Sequence, residues 1–424
     1  VEGLYHAGRG GAGTVFARAA RALVLKGPPQ DRARFFAATG ADPAFARSPN
    51  RALARQLETY TARLSGQTGG TVTKLYKTGG DPRVPPTLPS RNATQLGYKL
   101  ADLGGKRVLS ATRDGHTGCH WCPVDCRHWH WVEVDYAPGG RDKFLDDFEP
   151  AYALFSMLSL APSGDSFQAK LVLLNEVDRR LMVPIEQMGC DVIDVGVGLA
   201  ALFEGLERGL LPVDDVPPFL HGGPYLGDLN AVARAVGALQ AGDAAPALRA
   251  VGDGPQALAG RYPALQEILF TSGPGTLGNA GHANQLWTFL MPFSRFFGHY
   301  VGQLYKIKEE LPSATDPKET QSVFERVVRQ ALQREFFGVL GNALSICAFT
   351  SIIFSQDGKG EALRQDDLLI RLLRHYGIQL TNADLIEFSQ AFWAQSIDFK
   401  CQHGWRPQSA ADFPQRIYEA LSAT

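Results

Sequence analysis

The chain has 424 residues, with 42 Lys and Arg against 43 Asp and Glu, for a formal charge of −1. That length predicts two or three domains whose core needs no disulfide staples, and the balanced charge lacks the basic field of a nucleic-acid binder. Apolar residues at 45% and charged residues at 20% fit an ordinary globular protein.

Along the chain, a Gly-rich turn, His6-Ala7-Gly8-Arg9-Gly10-Gly11-Ala12-Gly13, opens an Ala-rich segment that ends at Lys26-Gly27-Pro28. Helical patterns follow through Phe45 and over 53–64, and a Gly, Pro and Thr-rich stretch at 66–90 reads as irregular loop. Apolar spacing of three and four predicts helices over 166–181 and 192–210, separated by a break at 184–191 that is bounded by Pro184 and Gly189. Residues 229–250 read as one Ala-rich helix, and 321–336 and 385–399 as further helices. Two uncharged stretches, 271–294 and 338–356, carry Pro274, His282, Asn284 and Gln285 in the first and Asn342, Ser345, Thr350 and Ser351 in the second. Those polar residues point to buried protein interior, so no membrane span is expected. The first residue is Val1 and no leader pattern follows it, which reads as a fragment or a processed piece.

Six cysteines are too few for a disulfide scaffold, yet three lie within eight positions, in Cys119-His120-Trp121-Cys122-Pro123-Val124-Asp125-Cys126. Three thiolates this close can converge on one soft metal centre. The spacing is C-x2-C-x3-C, the reverse of the radical-SAM order. Three outcomes remain on these residues: an iron–sulfur cluster, a Cys3His zinc site completed by His120, His128 or His130, or a chance clustering of cysteines. Cys190, Cys347 and Cys401 taken singly read as small apolar residues.

Several separated motifs together resemble the aldehyde ferredoxin oxidoreductase family, tungsten enzymes with a bis-pterin cofactor and one [4Fe–4S] cluster. The turn from Ala7 to Gly13, with Ala22 to Lys26 after it, is similar to the AGRGG turn and strand closing the family's first domain. Leu88-Pro89-Ser90-Arg91-Asn92 is similar to its LP-x-[KR]-N segment, and Asp147-Phe148-Glu149 stands about where the family has Glu-Tyr-Glu near the metal. Glu186-Gln187-Met188-Gly189-Cys190-Asp191 resembles the first pterin-binding D-x-x-G-L-D motif. Asn342-Ala343-Leu344-Ser345-Ile346-Cys347 resembles the second, D-x-x-G-L-C, and Asp412-Phe413-Pro414-Gln415-Arg416 a D-x-L-P-x-R-like segment. Both pterin motifs depart from the family, with Glu186 and Asn342 in place of Asp, Cys190 and Ile346 in place of Leu, and Ser345 in place of Gly.

The resemblance implies a mainly α fold of two helical domains. Residues 1–27 would be a remnant of a β-rich N-terminal domain. Residues 28–270 would form the helical domain with the cysteine loop and first pterin motif, and 271–424 the one with the second motif. The rest of the N-terminal domain would be truncated or supplied by a separate chain. The implied activity interconverts aldehydes and carboxylic acids at tungsten or molybdenum, in the cytoplasm, with electrons leaving through the cluster to a ferredoxin-like acceptor. Cys119, Cys122, Cys126 and Cys347 would hold the cluster. Arg9, Gly10, Gly11, Gly13, Glu186, Gly189, Asp191, Asn342 and Ile346 would hold the bis-pterin. Glu149 would act as the proton acceptor, and His299, which flanks the aromatic stretch 286–297, would polarise the substrate oxygen. The family also reduces acids, and relatives reduce the ring of benzoyl-CoA. Other classes compatible with the residues are a non-catalytic iron–sulfur electron-transfer or scaffold subunit and a zinc-stabilised binding protein.

Overall fold

The structure is a computed structural model that describes residues 88–92, 95–98, 113–117, 127–133, 141–146, 151–269, 271–272, 275–276, 317–344, 368–375, 377–404, 406 and 422–423. It is mainly helical, as the resemblance implies, and among the described residues the strands form three small sheets. The helices expected before residue 65, and the proposed remnant at 1–27, lie outside the described residues.

The first sheet pairs β1 (Leu88–Ser90) with β2 (Gln95–Tyr98) antiparallel, and β2 pairs in parallel with β8 (Ser422–Ala423) through Gln95↔Ser422. The last residues of 66–90 are thus strand where loop was expected. The second sheet runs β3 (Arg113–Thr117), β4 (Arg127–Glu133) and β5 (Arg141–Asp146), all antiparallel. Trp129, Trp131 and Val132 give β4 a composition suited to a strand. Thr117 pairs with Arg127 and His128 with Asp146, so the chain enters 118–126 and 147–150 from the same end of this sheet. A two-residue pair, β6 (Thr271–Ser272) and β7 (Gly275–Thr276), makes the third.

Residues 151–269 build a helical body around one core that runs from Leu154 to Leu269. It begins with α1 (Ala151–Met157) and α2 (Phe167–Val177), where Ser166 Oγ caps the first turn by accepting from the Ala169 N–H at 3.1 Å. A π-helical turn, Asp178–Met182, then leads straight into α3 (Val183–Gln187). Pro184 has no N–H to give the preceding turn, and the ladder widens just before it, with the Val183 N–H reaching back to the Asp178 carbonyl. The break expected over 184–191 is therefore shorter: the chain stays helical through Gln187 and turns at Gly189, at φ 74°.

The core helix α4 (Val192–Glu207) has 13 of its 16 residues buried and packs against α1 and α6. Phe203 is fully buried and meets the Tyr225 ring at 5.5 Å; burying a side chain of this size contributes about 1.5–3 kcal/mol. The stretch 229–250 is two helices, α5 (Leu229–Ala241) and α6 (Pro246–Gly252). Gly242 in the left-handed region closes α5, and Pro246 starts α6 at a position where a missing N–H costs nothing. α7 (Pro255–Arg261) and a short 3-10 turn (Pro263–Glu267) complete the body.

Further along are α8 (Pro317–Ala343), α9 (Leu368–His375) and α10 (Asn382–Gln402), longer versions of the helices expected at 321–336 and 385–399. α8 and α10 pack on each other. Among the described residues, no helix is long and apolar enough to cross a membrane.

Candidate cofactor site

Of the residues expected to bind cofactor, Glu186, Gly189 and Asp191 are held together by a single turn between α3 and α4. The Gly189 N–H donates to the Glu186 carbonyl at 2.9 Å and the Cys190 N–H to the Ile185 carbonyl at 3.2 Å. Gly189 is exposed, and an added Cβ there would meet nothing within 4 Å, so its backbone angle and not space calls for glycine. Asp191 is the N-cap of α4: its Oδ1 accepts from the Asp194 N–H at 2.8 Å, and its negative charge sits at the positive end of the helix dipole. Glu186 and Asp191 are both half-buried, two carboxylates flanking an open glycine turn. Cys190, in the family's Leu position, packs against the core; burial raises its thiol pKa, and the Asp191 and Asp253 charges add to the effect.

This donor set fits a pterin, whose amino and ring N–H groups need acceptors, and ionised carboxylates are acceptors only. Asn342 lies in the last turn of α8. Arg9, Gly10, Gly11, Gly13, Cys119, Cys122, Cys126, Glu149, His299, Ile346 and Cys347 lie outside the described residues. Among the described residues, no three His, Cys, Asp or Glu gather as a metal site.

Two features escaped the sequence reading. Glu204, a carboxylate within the apolar run of α4, is buried, and its Oε2 accepts from Asn92 Nδ2 at 2.7 Å while its Oε1 meets Arg208 at 3.2 Å. Asn92 is fully buried and donates also to the Ile268 carbonyl at 2.9 Å. The signal was an acid interrupting the otherwise uncharged stretch 195–206. The second feature is Asp178, buried at the head of the π-turn, where loss of hydration holds its carboxyl well above the usual range. The π-turn packs against β4, the strand that follows the cysteine segment, and passes directly into the helix carrying Glu186.

Left-handed backbone at non-glycine positions clusters near Asn92 among the described residues. Arg91, Asn92 and Ser159 have φ of 49°, 50° and 57°, the three positive values at non-glycine positions among the described residues. Each costs about 1–2 kcal/mol for an ordinary side chain, somewhat less for Asn.

The family described as aldehyde ferredoxin oxidoreductase, domains 2 and 3, matches residues 84–424. None of the curated proteins matches the chain. Among solved structures, the active-site complex BamBC of benzoyl coenzyme A reductase with 1,5-dienoyl-CoA is similar at a TM-score of 0.50 and 12% identity. That match covers 86% of this chain and 59% of the other, so this chain spans under two thirds of its solved neighbour.

Proposed function

The chain belongs to the aldehyde ferredoxin oxidoreductase family, and from that premise we propose that it interconverts aldehydes and carboxylic acids at a tungsten or molybdenum bis-pterin centre. A [4Fe–4S] cluster, when bound, would supply the one-electron exit to a ferredoxin-like acceptor. The observation that carries this reading is the turn at 186–191, which presents the two half-buried carboxylates Glu186 and Asp191 at the head of a buried helix inside the family match.

On this reading Glu186, Gly189 and Asp191 bind one pterin and Asn342 and Ile346 the other, while Arg9, Gly10, Gly11 and Gly13 meet the cofactor from the first domain. Asn342 can both accept and donate, so it can replace the family's Asp with a rearranged pattern of bonds. Cys119, Cys122, Cys126 and Cys347 hold the cluster. When bound, the metal pterin supplies a two-electron redox step. Glu149 takes the proton released as water adds to the carbonyl carbon, and His299 donates to the substrate oxygen. The entry of 118–126 and 147–150 from one end of the β3–β4–β5 sheet supports placing Glu149 and the cysteines in one region. Residues 28–270 and 271–424 are the proposed domains. The family's β-rich first domain completes the site, from the same polypeptide or from a partner chain.

The test is aldehyde-dependent reduction of a one-electron dye by anaerobically purified protein, with an aryl-CoA thioester assayed alongside because the solved neighbour holds 1,5-dienoyl-CoA. Glu149→Gln keeps the shape and removes the proton acceptor, so turnover falls by roughly 10²–10⁴ with metal and iron content intact. Asp147→Asn does far less. A fully metallated Glu149→Gln enzyme working at the parent rate would move the base to His299 or bound water. No aldehyde turnover by a metal-loaded parent would remove the aldehyde assignment.

A further inference from the structure

We infer that the β1–β2 turn is a positioning device for the 186–191 motif: Asn92 and Arg91 anchor the last turn of α4, the helix whose first turn Asp191 caps. This deepens the reading of 186–191 as a pterin site and rests on it.

The anchor is built from both backbone and side chain. The Asn92 N–H donates to the Met157 carbonyl at 2.8 Å, and its side-chain amide ties Glu204 to the Ile268 carbonyl. One residue thereby joins the end of α1, the end of α4 and the segment leaving the helical body. Arg91 supports it, with its N–H on Ser159 Oγ at 2.8 Å and its guanidinium on Glu207 at 3.3 Å. From the other side, the Tyr225 N–H donates to Glu207 Oε1 at 3.2 Å, and the Gly227 N–H to the Leu158 carbonyl at 2.7 Å. The left-handed residues of the described chain outside glycine all lie within this ring of bonds. Backbone in that region persists where its surroundings over-determine it, and such places recur where geometry matters to function.

The reach of the anchor comes from α4 itself. A helix of 16 residues is a rod of about 24 Å, and with 13 of them buried in a close-packed core it shifts as a unit. Fixing Glu204 and Glu207 therefore sets where Asp191 and Gly189 stand. The hairpin also stands at a junction of the chain: residues 1–87, with the Arg9 turn, lead into β1, and β2 pairs with β8 at the C-terminal end. A device here registers the two proposed halves of a cofactor site against each other, in addition to adding stability.

Hydrogen exchange of the full chain, read by mass spectrometry, tests this without requiring turnover. Asn92→Gly keeps the left-handed backbone and deletes the side-chain bonds; Glu204→Gln is a milder variant that keeps its volume. Exchange at 189–197 should rise at least about tenfold in Asn92→Gly, and less in Glu204→Gln, whose amide oxygen still accepts from Asn92, with 229–252 in the same core unchanged. Equal acceleration across 189–197 and 229–252 would mean general loosening, and a change confined to 88–98 and 204–207 would mean a local brace; either overturns the proposal. Pterin content of the folded protein separates the two readings. Parent protein with pterin, and variants with pterin and unchanged exchange, would leave the cofactor reading standing and remove the positioning one. Selective acceleration in a chain that never holds pterin would remove the cofactor reading.

Discussion

Two capped helices, α4 and α10, are held in opposite ways. α4 begins on Asp191 and then buries almost its whole length; α10 begins on a capping box at Thr381 and Asp384 and among its 21 residues buries Leu385 and Ser389. Its Phe388, Phe392 and Phe399 are exposed. Local bonds close its first turn, with the Thr381 N–H and hydroxyl donating to Asp384 Oδ2 at 2.7 Å and the Asp384 N–H to Thr381 Oγ1 at 3.2 Å. Packing along nearly its whole length holds α4, whereas α10 meets α8 on part of its surface, with the Trp393 ring 6.4 Å from Phe336, and leaves most of its length exposed.

The sharpest way to break this comparison is one substitution made twice. Phe203→Ala in α4 should cost about 3–5 kcal/mol in denaturant unfolding, because it empties a fully buried site. Phe399→Ala in α10 should stay within about 0.5 kcal/mol, since that ring is 61% exposed. Similar losses at both sites would show that α10 is packed as α4 is.

Asp178 sharpens the comparison through pH. Burial raises its folded pKa above 3.8, so from about that pH up to the folded pKa the folded chain keeps a proton that the unfolded chain has released. Its contribution to stability therefore falls as pH rises through that window. Asp178→Asn cannot ionise, and its stability relative to the parent should climb with pH above about 3.8. A difference that is flat with pH would contradict this. Asp384 has the opposite sign: bonds from the Thr381 hydroxyl and N–H lower its pKa, so its contribution is present above the unfolded pKa and lost as pH falls through the folded one. Thr381→Ala should cost about 1 kcal/mol and weaken that acid dependence, measured by thermal melts across acid pH.

Helix positions were readable where apolar periodicity coincided with burial or capping. α2 and α4 followed from spacing, while 229–250 read as one helix because Ala at 238, 241, 244 and 245 masks the stop that Gly242 and Pro246 impose. The same periodicity located α10, but spacing does not report what covers Phe388, Phe392 and Phe399, which are exposed. At the site, the 186–191 turn was legible because Gly189 needs φ 74° and Asp191 caps a helix. The Asn92–Glu204 bond was not, because it joins residues 112 apart and only folding brings them together.

The most direct test of the account is the metal and pterin content of the anaerobically purified chain. A bis-pterin oxidoreductase of this family should carry tungsten or molybdenum with about four irons per chain. Zinc alone would contradict the account and support a zinc-stabilised binding protein, and iron without tungsten, molybdenum or pterin would leave an electron-transfer or scaffold subunit.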